Sequence, residues 1–179
     1  ASPYTDEGMQ GLANYAKKAA ELYNYQYGDY KLKYMEMYNE WYTAAGDKGD
    51  GPADSSPENY IKVFRKMYET VKAAYPNMTM FLNIYPQETN SEGLLKLGGL
   101  NYCDGYALHH YNYSLNKEDP ENLECGLGIT IDKTQDMIAK YNTNNKEMKF
   151  WLSEFGWPSV LVPEWAVQIT EKEQAEYLV

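Results

Sequence analysis

One stretch decides the fold of this 179-residue chain: Lys33-Tyr34-Met35-Glu36-Met37-Tyr38-Asn39-Glu40-Trp41. It is a short apolar and aromatic run that ends in an amide, a carboxylate and an indole, and turn-rich segments flank it at 27–30 and 46–51. Short apolar runs bounded in this way are typical of strands. In parallel α/β proteins the active site lies at the carboxyl ends of the strands, so Asn39 and Glu40 are candidate functional residues. A strand that merely ends in polar residues on its way into a loop would give the same pattern.

A second stretch of the same kind lies near the carboxyl end: Phe150-Trp151-Leu152-Ser153-Glu154-Phe155-Gly156-Trp157-Pro158-Ser159. A polar turn at 142–146 precedes it, and the Gly and Pro that follow Glu154 must break the strand. A retaining glycosidase requires two such carboxyl groups about 5 Å apart, one to protonate the leaving-group oxygen and one to attack the anomeric carbon. Glu40 and Glu154 therefore form a candidate catalytic pair.

Helix and strand patterns alternate along the rest of the chain. Helical spacing of apolar residues predicts helices over residues 12–23, 57–75, 91–100 and onward from 130, and alternating runs predict strands over residues 78–85 and 104–111. This alternation is typical of a parallel sheet with right-handed crossovers. The pattern alone fits an open doubly wound sheet as well as a barrel. The barrel is favoured because closing the sheet brings Glu40 and Glu154 to face each other across one mouth.

Two helix starts carry explicit capping signals. Ser56-Pro57-Glu58 combines a capping hydroxyl, a proline at the first helical position and an acid in the first turn. Thr170-Glu171-Lys172-Glu173 is a capping box, in which the first and last side chains satisfy each other's backbone N–H groups.

The strand predicted over 104–111 ends in Tyr106-Ala107-Leu108-His109-His110-Tyr111. Strand alternation places His109 and Tyr111 on one face and His110 on the other, which favours His109 as the residue of the cleft. Adjacent histidines suggest a metal site, but neighbours that point to opposite faces cannot readily share one ion. Asn83, near the end of another predicted strand, either lines the cleft or satisfies local backbone.

Met37-Tyr38-Asn39-Glu40, Tyr106-Ala107-Leu108-His109-His110-Tyr111 and Trp151-Leu152-Ser153-Glu154-Phe155-Gly156-Trp157 occur in this order, each closing a strand. At these motifs the sequence resembles the clan A glycoside hydrolases, and families five and thirty-nine both fit. The resemblance implies an α/β fold, a partial (β/α)8 TIM barrel running roughly from helix three through helix seven with strands four to seven. A complete barrel needs about 250 residues. Residues 1–179 are therefore expected to form a single incomplete catalytic domain, without the first strands and strand eight.

The same resemblance implies roles for individual residues. Glu40 would be the general acid/base and Glu154 the nucleophile, while Asn39 would contact the sugar's 2-hydroxyl group. His109 and Tyr111 would flank the nucleophile. No metal and no organic cofactor is implied.

Three further aromatic or polar side chains are candidates for substrate contact. Trp41 directly follows Glu40, and Trp157 follows Glu154 after a Phe-Gly pair. Each indole either contacts the sugar, as a platform or a pocket wall, or packs in the protein interior. Asn83 is a weaker candidate at its strand end. Glu36 shares strand parity with Glu40, so it should point into the barrel, and we expect it to be structural with its partner supplied by the missing strands.

The function that the resemblance implies is a retaining glycoside hydrolase that cleaves β-glycosidic bonds in polysaccharides or oligosaccharides. A non-catalytic carbohydrate-binding barrel fragment or pseudoenzyme is the alternative, since half a barrel cannot hold two carboxylates to the tolerance of catalysis by itself. A structural or interaction domain with incidental motifs is a third reading. Sugar binding without hydrolysis would identify the carbohydrate-binding fragment or pseudoenzyme. A protein that neither binds nor hydrolyses sugars would be the structural or interaction domain.

Composition narrows the classes of partner. The net charge is −10 and no basic stripe occurs, which argues against nucleic acid and anionic membranes as partners. No apolar run approaches the length that spans a bilayer. A carbohydrate substrate and an extracellular or cell-envelope location follow from the resemblance alone, and the oligomeric state is left open. Cys103 and Cys125 either pair or remain two thiols.

Two loops complete the sequence-based expectations. The Gly- and Asp-rich loop at 44–55 lacks the ligand spacing of a calcium loop and is expected to be solvated. The long loop at 112–128 is expected to lie over the mouth of the sheet as a substrate-binding segment.

Overall fold

The computed structural model describes residues 3–25, 32–42, 56–111, 126–157 and 170–177. The helices are α1 (Asp6–Tyr25), α2 (Pro57–Ala74), α3 (Thr89–Lys96), a 3-10 helix (Gly99–Tyr102), α4 (Leu127–Tyr141) and α5 (Glu171–Tyr177). The strands are β1 (Tyr34–Glu36), β2 (Thr79–Asn83), β3 (Gly105–Tyr111) and β4 (Lys149–Gly156).

The four strands form one curled sheet in the order β1-β2-β3-β4, and every neighbouring pair is parallel. An open doubly wound sheet reverses its strand order at a switch point, whereas a (β/α)8 barrel keeps strands in chain order. The observed order is therefore that of half a barrel. This confirms the α/β fold class and the partial TIM barrel, while the numbering of the strands as four to seven stays a prediction.

Helix α2 covers the outer face of the sheet. Pro57 at its first position suits the helix because its missing N–H would be unpaired there anyway. Its apolar stripe consists of Tyr60, Val63, Phe64, Met67 and Val71, all buried in the hydrophobic core. The predicted start is confirmed, but the Ser56 side chain makes no capping hydrogen bond and its carbonyl oxygen instead accepts from the N–H groups of Asn59 and Tyr60.

Strand β1 is much shorter than predicted. The sequence predicts a strand that continues towards Trp41, but β1 ends at Glu36, and only the Met37 N–H continues the ladder by donating to the Phe81 carbonyl at 3.0 Å. The chain then turns, and Glu40 has a φ of 41°, in the left-handed region that side chains other than glycine rarely adopt. Glu40 is therefore presented by a strained turn rather than by a strand.

Other boundaries follow the sequence more closely. Helix α1 starts at Asp6, ahead of the residues 12–23 over which the helical spacing predicts it, and α4 starts at Leu127 rather than Thr130. The predicted capping box is present: the Glu173 N–H donates to Thr170 Oγ1 at 3.2 Å, and the Thr170 N–H donates to Glu173 Oε2 at 2.6 Å. None of the described helices is both long enough and apolar enough to cross a membrane.

Several sequence-based expectations fall outside the described residues. These are the loop at 44–55, nearly all of the loop at 112–128, and the pairing of Cys103 with Cys125. Cys103 itself is fully buried, with its sulfur 3.9 Å from the Leu100 carbonyl oxygen, and burial raises the pKa of its thiol to about 12.

Asp104, just before β3, ties α2 to the sheet. Its carboxylate accepts hydrogen bonds from the Tyr68 hydroxyl at 3.0 Å, the Lys72 ammonium at 3.0 Å and the Met80 backbone N–H at 2.9 Å. Burial alone would raise the pKa of Asp104, but these three donors outweigh it and hold the pKa below its ordinary value. The carboxylate therefore stabilises the fold in its charged form.

We expect Asp104→Asn to lower the free energy of unfolding at pH 7 by about 1–3 kcal/mol, because a partly buried charged acceptor is lost. The wild-type pKa is depressed in the folded state, so this contribution is present above the unfolded value near 4 and is lost as pH falls through the folded value. Urea unfolding between pH 3 and 7 measures it. Asp132→Asn, at an exposed position of α4, is the control. An equal loss of stability at low pH in wild type and Asp104→Asn would contradict this role.

Candidate active site

Three side chains, one from the turn after β1 and one each from β3 and β4, meet at the carboxyl end of the sheet. Glu40 follows β1, His109 lies near the end of β3, and Glu154 lies near the end of β4. The Nδ1 atom of His109 is 3.1 Å from Glu40 Oε1 and 3.5 Å from Glu154 Oε2. One carboxylate oxygen of Glu40 and one of Glu154 lie within 4.8 Å of each other. Residues far apart in the sequence thus form one compact cluster.

The cluster is reachable from solvent although its centre is buried. The His109 side chain is only 1% exposed, whereas those of Glu40 and Glu154 retain 34% and 40% of their surface. A ligand can therefore approach the two carboxylates while the imidazole lies behind them. The structure brings His109, as strand alternation predicts, to the side of the sheet where the glutamates lie.

A β-bulge aims Glu154 into this cluster. Leu108 pairs with Leu152, but the next residue, His109, pairs with Glu154, so Ser153 is the extra residue on β4. Plain alternation would send Ser153 and Glu154 to opposite faces. With the bulge, both reach partners in the same cluster, because a bulge bends its strand and redirects side chains. Sequence periodicity contains no signal for this bulge.

Tyr111 is also part of the cluster. Its hydroxyl donates a hydrogen bond to Glu154 Oε2 at 2.7 Å, the same oxygen that His109 Nδ1 faces at 3.5 Å. Both residues that the resemblance placed beside Glu154 thus lie there. The hydrogen bond orients the carboxylate, and Tyr111 as a residue is 38% exposed.

Glu36 finds its partners inside this chain, which corrects the expectation that missing strands supply them. Its Oε2 accepts a hydrogen bond from Ser153 Oγ at 2.7 Å, and its Oε1 lies 3.0 Å from His109 Nε2. The sequence did suggest an inward direction for Glu36. It could not indicate the partners, because Ser153 reaches the same face only through the bulge.

His109 therefore lies between carboxylates on both ring nitrogens. Burial alone would lower its pKa, but the carboxylates of Glu36, Glu40 and Glu154 outweigh burial and raise the pKa above the ordinary histidine value. A neutral imidazole has one N–H and would turn a lone pair towards an acceptor on one side. The geometry consequently favours the imidazolium.

The predicted substrate-binding residues outside the cluster have different surroundings. Trp41 is fully buried; its indole packs against Tyr60 with ring centroids 4.7 Å apart, and its N–H donates to the Asn83 carbonyl oxygen at 2.8 Å. Asn83 is also fully buried, so neither side chain offers a surface to a sugar. Trp157 is 8% exposed and packs edge-on against Phe155.

Asn39 has yet another environment. It is exposed and lies in the turn directly before Glu40. Its predicted contact with a sugar hydroxyl therefore stays a prediction.

We expect Trp41→Phe to lower the free energy of unfolding by about 1–3 kcal/mol, because part of a core ring and its buried hydrogen bond are lost. Thermal or urea unfolding measures this effect. Trp151→Phe is the matched control, since Trp151 is 39% exposed. Unaltered stability of Trp41→Phe would contradict the packing role of this indole.

Glu40, His109 and Glu154 are also the set of described residues whose ligand atoms lie close enough to share a cation. This set differs from the adjacent histidine pair that the sequence suggested. Direct contacts within the cluster account for the closeness of these atoms, because His109 Nδ1 lies 3.1 Å from Glu40 Oε1 and 3.5 Å from Glu154 Oε2. We therefore interpret the cluster as hydrogen-bonded groups and not as a metal centre.

An apolar cavity of about 360 Å³ lies at the other end of the strands. It is lined by Tyr34, Phe81, Lys149, Phe150 and Trp151. Tyr34 and Lys149 begin β1 and β4, so this cavity is at the opposite end of the sheet from the glutamates. Functional sites of barrels lie at the carboxyl ends of strands, which favours the glutamate cluster as the site.

No protein-family model and no curated protein matches the sequence. Solved structures do match. A family 39 glycoside hydrolase from the gut symbiont Bacteroides cellulosilyticus WH2 has a TM-score of 0.67 and 23% identity, covering 99% of this chain and 34% of that one. A glucosidase from Croceicoccus marinus has a TM-score of 0.60 and 14% identity, covering 95% and 34%. The chain thus spans about a third of the length of each, and at these identities the likeness confirms the predicted resemblance at the level of the fold.

Proposed function

We propose that this chain carries the two catalytic glutamates of a retaining glycoside hydrolase that cleaves β-glycosidic bonds in polysaccharides or oligosaccharides. The observation that supports it is the pair of carboxylate oxygens of Glu40 and Glu154 within 4.8 Å of each other at the carboxyl end of the sheet. Retaining enzymes hold their carboxyl groups about 5–5.5 Å apart, and inverting enzymes about 6.5–9.5 Å. The glycoside hydrolases with the same fold add support.

In the proposed reaction Glu40, as the acid, donates a proton to the departing oxygen while Glu154 attacks the anomeric carbon and forms a glycosyl-enzyme. Glu40 then removes a proton from water, which attacks the same carbon and releases the sugar. The Tyr111 hydroxyl holds one oxygen of Glu154 in place, which leaves the other free to align with the sugar. Asn39 is assigned to the 2-hydroxyl group.

The stereochemistry of the first product tests this proposal. Proton NMR during hydrolysis of a β-linked oligosaccharide should show the β-anomer first, with the α-anomer appearing later by mutarotation. Initial release of the α-anomer would contradict double displacement. A covalent adduct of a 2-fluoro-substituted activated glycoside, mapped to Glu154 by mass spectrometry, would support the nucleophile directly.

A non-catalytic carbohydrate-binding protein is the second candidate. The open side of the half-barrel favours it, since both carboxylates remain partly exposed and the chain spans about a third of the enzymes it resembles. Isothermal titration with β-linked oligosaccharides would identify this function if binding occurs without product release.

The remaining assignments belong to the same proposal. Residues 1–179 constitute one incomplete catalytic domain, its partner is a carbohydrate, and its location is extracellular or in the cell envelope, where polysaccharides are found. Detection of the protein in the culture medium or envelope fraction of its source organism would support this location, and exclusive recovery from the cytosol would contradict it.

A further inference from the structure

Glu36 lies where it can act on the reaction without touching the substrate. It is the last residue of β1, its side chain is 17% exposed, and each carboxylate oxygen faces a protein group. Ser153 Oγ donates to Oε2 at 2.7 Å, and His109 Nε2 lies 3.0 Å from Oε1. A carboxylate engaged in this way does not need a sugar as a partner.

His109 connects Glu36 to the catalytic pair. Its ring is 1% exposed and points one nitrogen at Glu36 and the other at Glu40 and Glu154, at 3.1 Å and 3.5 Å. Rotation of the ring would break contacts on both sides. Among the described residues, the charged groups facing His109 are these three glutamates, from β1, the turn after it and β4.

We infer that Glu36 is a positioning residue: through His109, and held by Ser153, it keeps a positively charged N–H directed between Glu40 and Glu154. This inference rests on the proposed glycosidase function. In the proposed reaction the negative charge lies on Glu154 before the glycosyl-enzyme forms and on Glu40 afterwards, and these two groups have oxygens within 4.8 Å of each other. The imidazolium faces both positions and so stabilises the charge on either one, and its N–H direction limits the movement of both. If Glu36 loses its charge, His109 releases its proton at lower pH, and the glutamate pair then faces a neutral imidazole instead of a positive charge.

The pKa of His109 agrees with this arrangement. It is raised although burial alone would lower it, and Glu36 is the first of the carboxylates that raise it. Removing an opposite charge at this distance typically changes a pKa by 1–3 units. Glu36→Gln should therefore shift the titration midpoint of His109 to lower pH by about one unit or more.

The test uses the whole protein, with the His109 resonance identified by its loss in His109→Asn. In Glu36→Gln, NMR titration should show the lower midpoint, and the alkaline limb of kcat should move to lower pH in parallel. KM should change by less than twofold, because Glu36 does not touch the substrate. Glu36→Asp, which retains the charge, should bring both the His109 midpoint and the alkaline limb of kcat most of the way back to their wild-type values. Glu147→Gln, at an exposed position, is the matched control and should change neither.

Two results would overturn the inference. An unchanged His109 midpoint in folded Glu36→Gln would show that Glu36 does not hold the imidazolium. A lowered midpoint with an unmoved kcat profile would show that the imidazolium does not serve the reaction. Wild-type protein without turnover would overturn the proposed function together with this inference, whereas normal wild-type turnover with an unmoved midpoint would overturn this inference only.

Discussion

Glu154→Gln is expected to abolish glycoside turnover, with a decrease in kcat on the order of 10⁴-fold or more, because a neutral amide cannot attack the anomeric carbon. Folding should be nearly unaffected. The amide has the size of the carboxylate and its oxygen can still accept from the Tyr111 hydroxyl, and the side chain is 40% exposed. The free energy of unfolding is expected to stay within about 1 kcal/mol of wild type. Steady-state kinetics and urea unfolding measure both quantities.

The same charge change elsewhere provides the control for this variant. Glu147→Gln removes one negative charge at an exposed position and should retain full turnover. A Glu154→Gln protein with wild-type kcat would exclude Glu154 as the nucleophile. An unfolded Glu154→Gln protein would show that Glu154 is chiefly structural, which would also contradict the assignment.

Glu40→Ala is expected to slow glycosides with poor leaving groups far more than activated aryl glycosides. The reason is that a poor leaving group needs a proton as the bond breaks, and general acid catalysis contributes typically 10²–10⁴-fold, whereas an activated phenolate departs without one. Measuring kcat/KM for aryl glycosides of graded leaving-group pKa gives the dependence. Equal slowing across the series would exclude Glu40 as the acid.

The backbone at Glu40 calls for a companion variant. Its φ of 41° is unfavourable for alanine, and the left-handed conformation costs side chains other than glycine roughly 1–2 kcal/mol. Glu40→Gly removes the same carboxyl group and adopts this conformation readily. The two variants should show the same leaving-group dependence. A difference between them would assign the effect to the backbone instead of the lost acid.

The left-handed turn at Glu40 also affects where the Glu40 carboxylate lies. A strand that continued to Trp41 would alternate its side chains, whereas the chain leaves the sheet after Glu36 and buries Trp41 in the core. Trp41 packs on Tyr60 and donates to the Asn83 carbonyl oxygen. We interpret this anchored indole as the feature that secures the strained turn and hence the position of the Glu40 carboxylate.

Much of the architecture was predictable because its signals are local. The Pro57 helix start, the apolar stripe of α2 and the Thr170 to Glu173 capping box depend on residues within one or two turns of each other. The alternation around His109 correctly indicated which histidine lies near the glutamates, because β3 is regular up to that point. Glu40 and Glu154 could be selected because each follows or ends a strand pattern.

Features that depend on pairing between strands were missed. The length of β1 was overestimated because apolar residues beyond Glu36 pack in the core without belonging to the sheet. The partner of Glu36 was predicted to come from further strands, but its partners are His109 and Ser153. Trp41 and Asn83 looked like cleft residues by position, but both are fully buried.

The sequence by itself determined the alternation of helices and strands, the helix start at Pro57 and the Thr170 to Glu173 capping box, because these follow from periodicity and from contacts between near neighbours. The roles of Glu40 and Glu154 come from the resemblance and stay a prediction. Only the tertiary structure decided that Ser153 and Glu154 reach one cluster, since this requires the register shift between β3 and β4. It also decided that His109 faces carboxylates on both nitrogens. Those contacts join residues from three strands, and their distances arise from strand pairing across the sheet, for which no single stretch of sequence carries a signal.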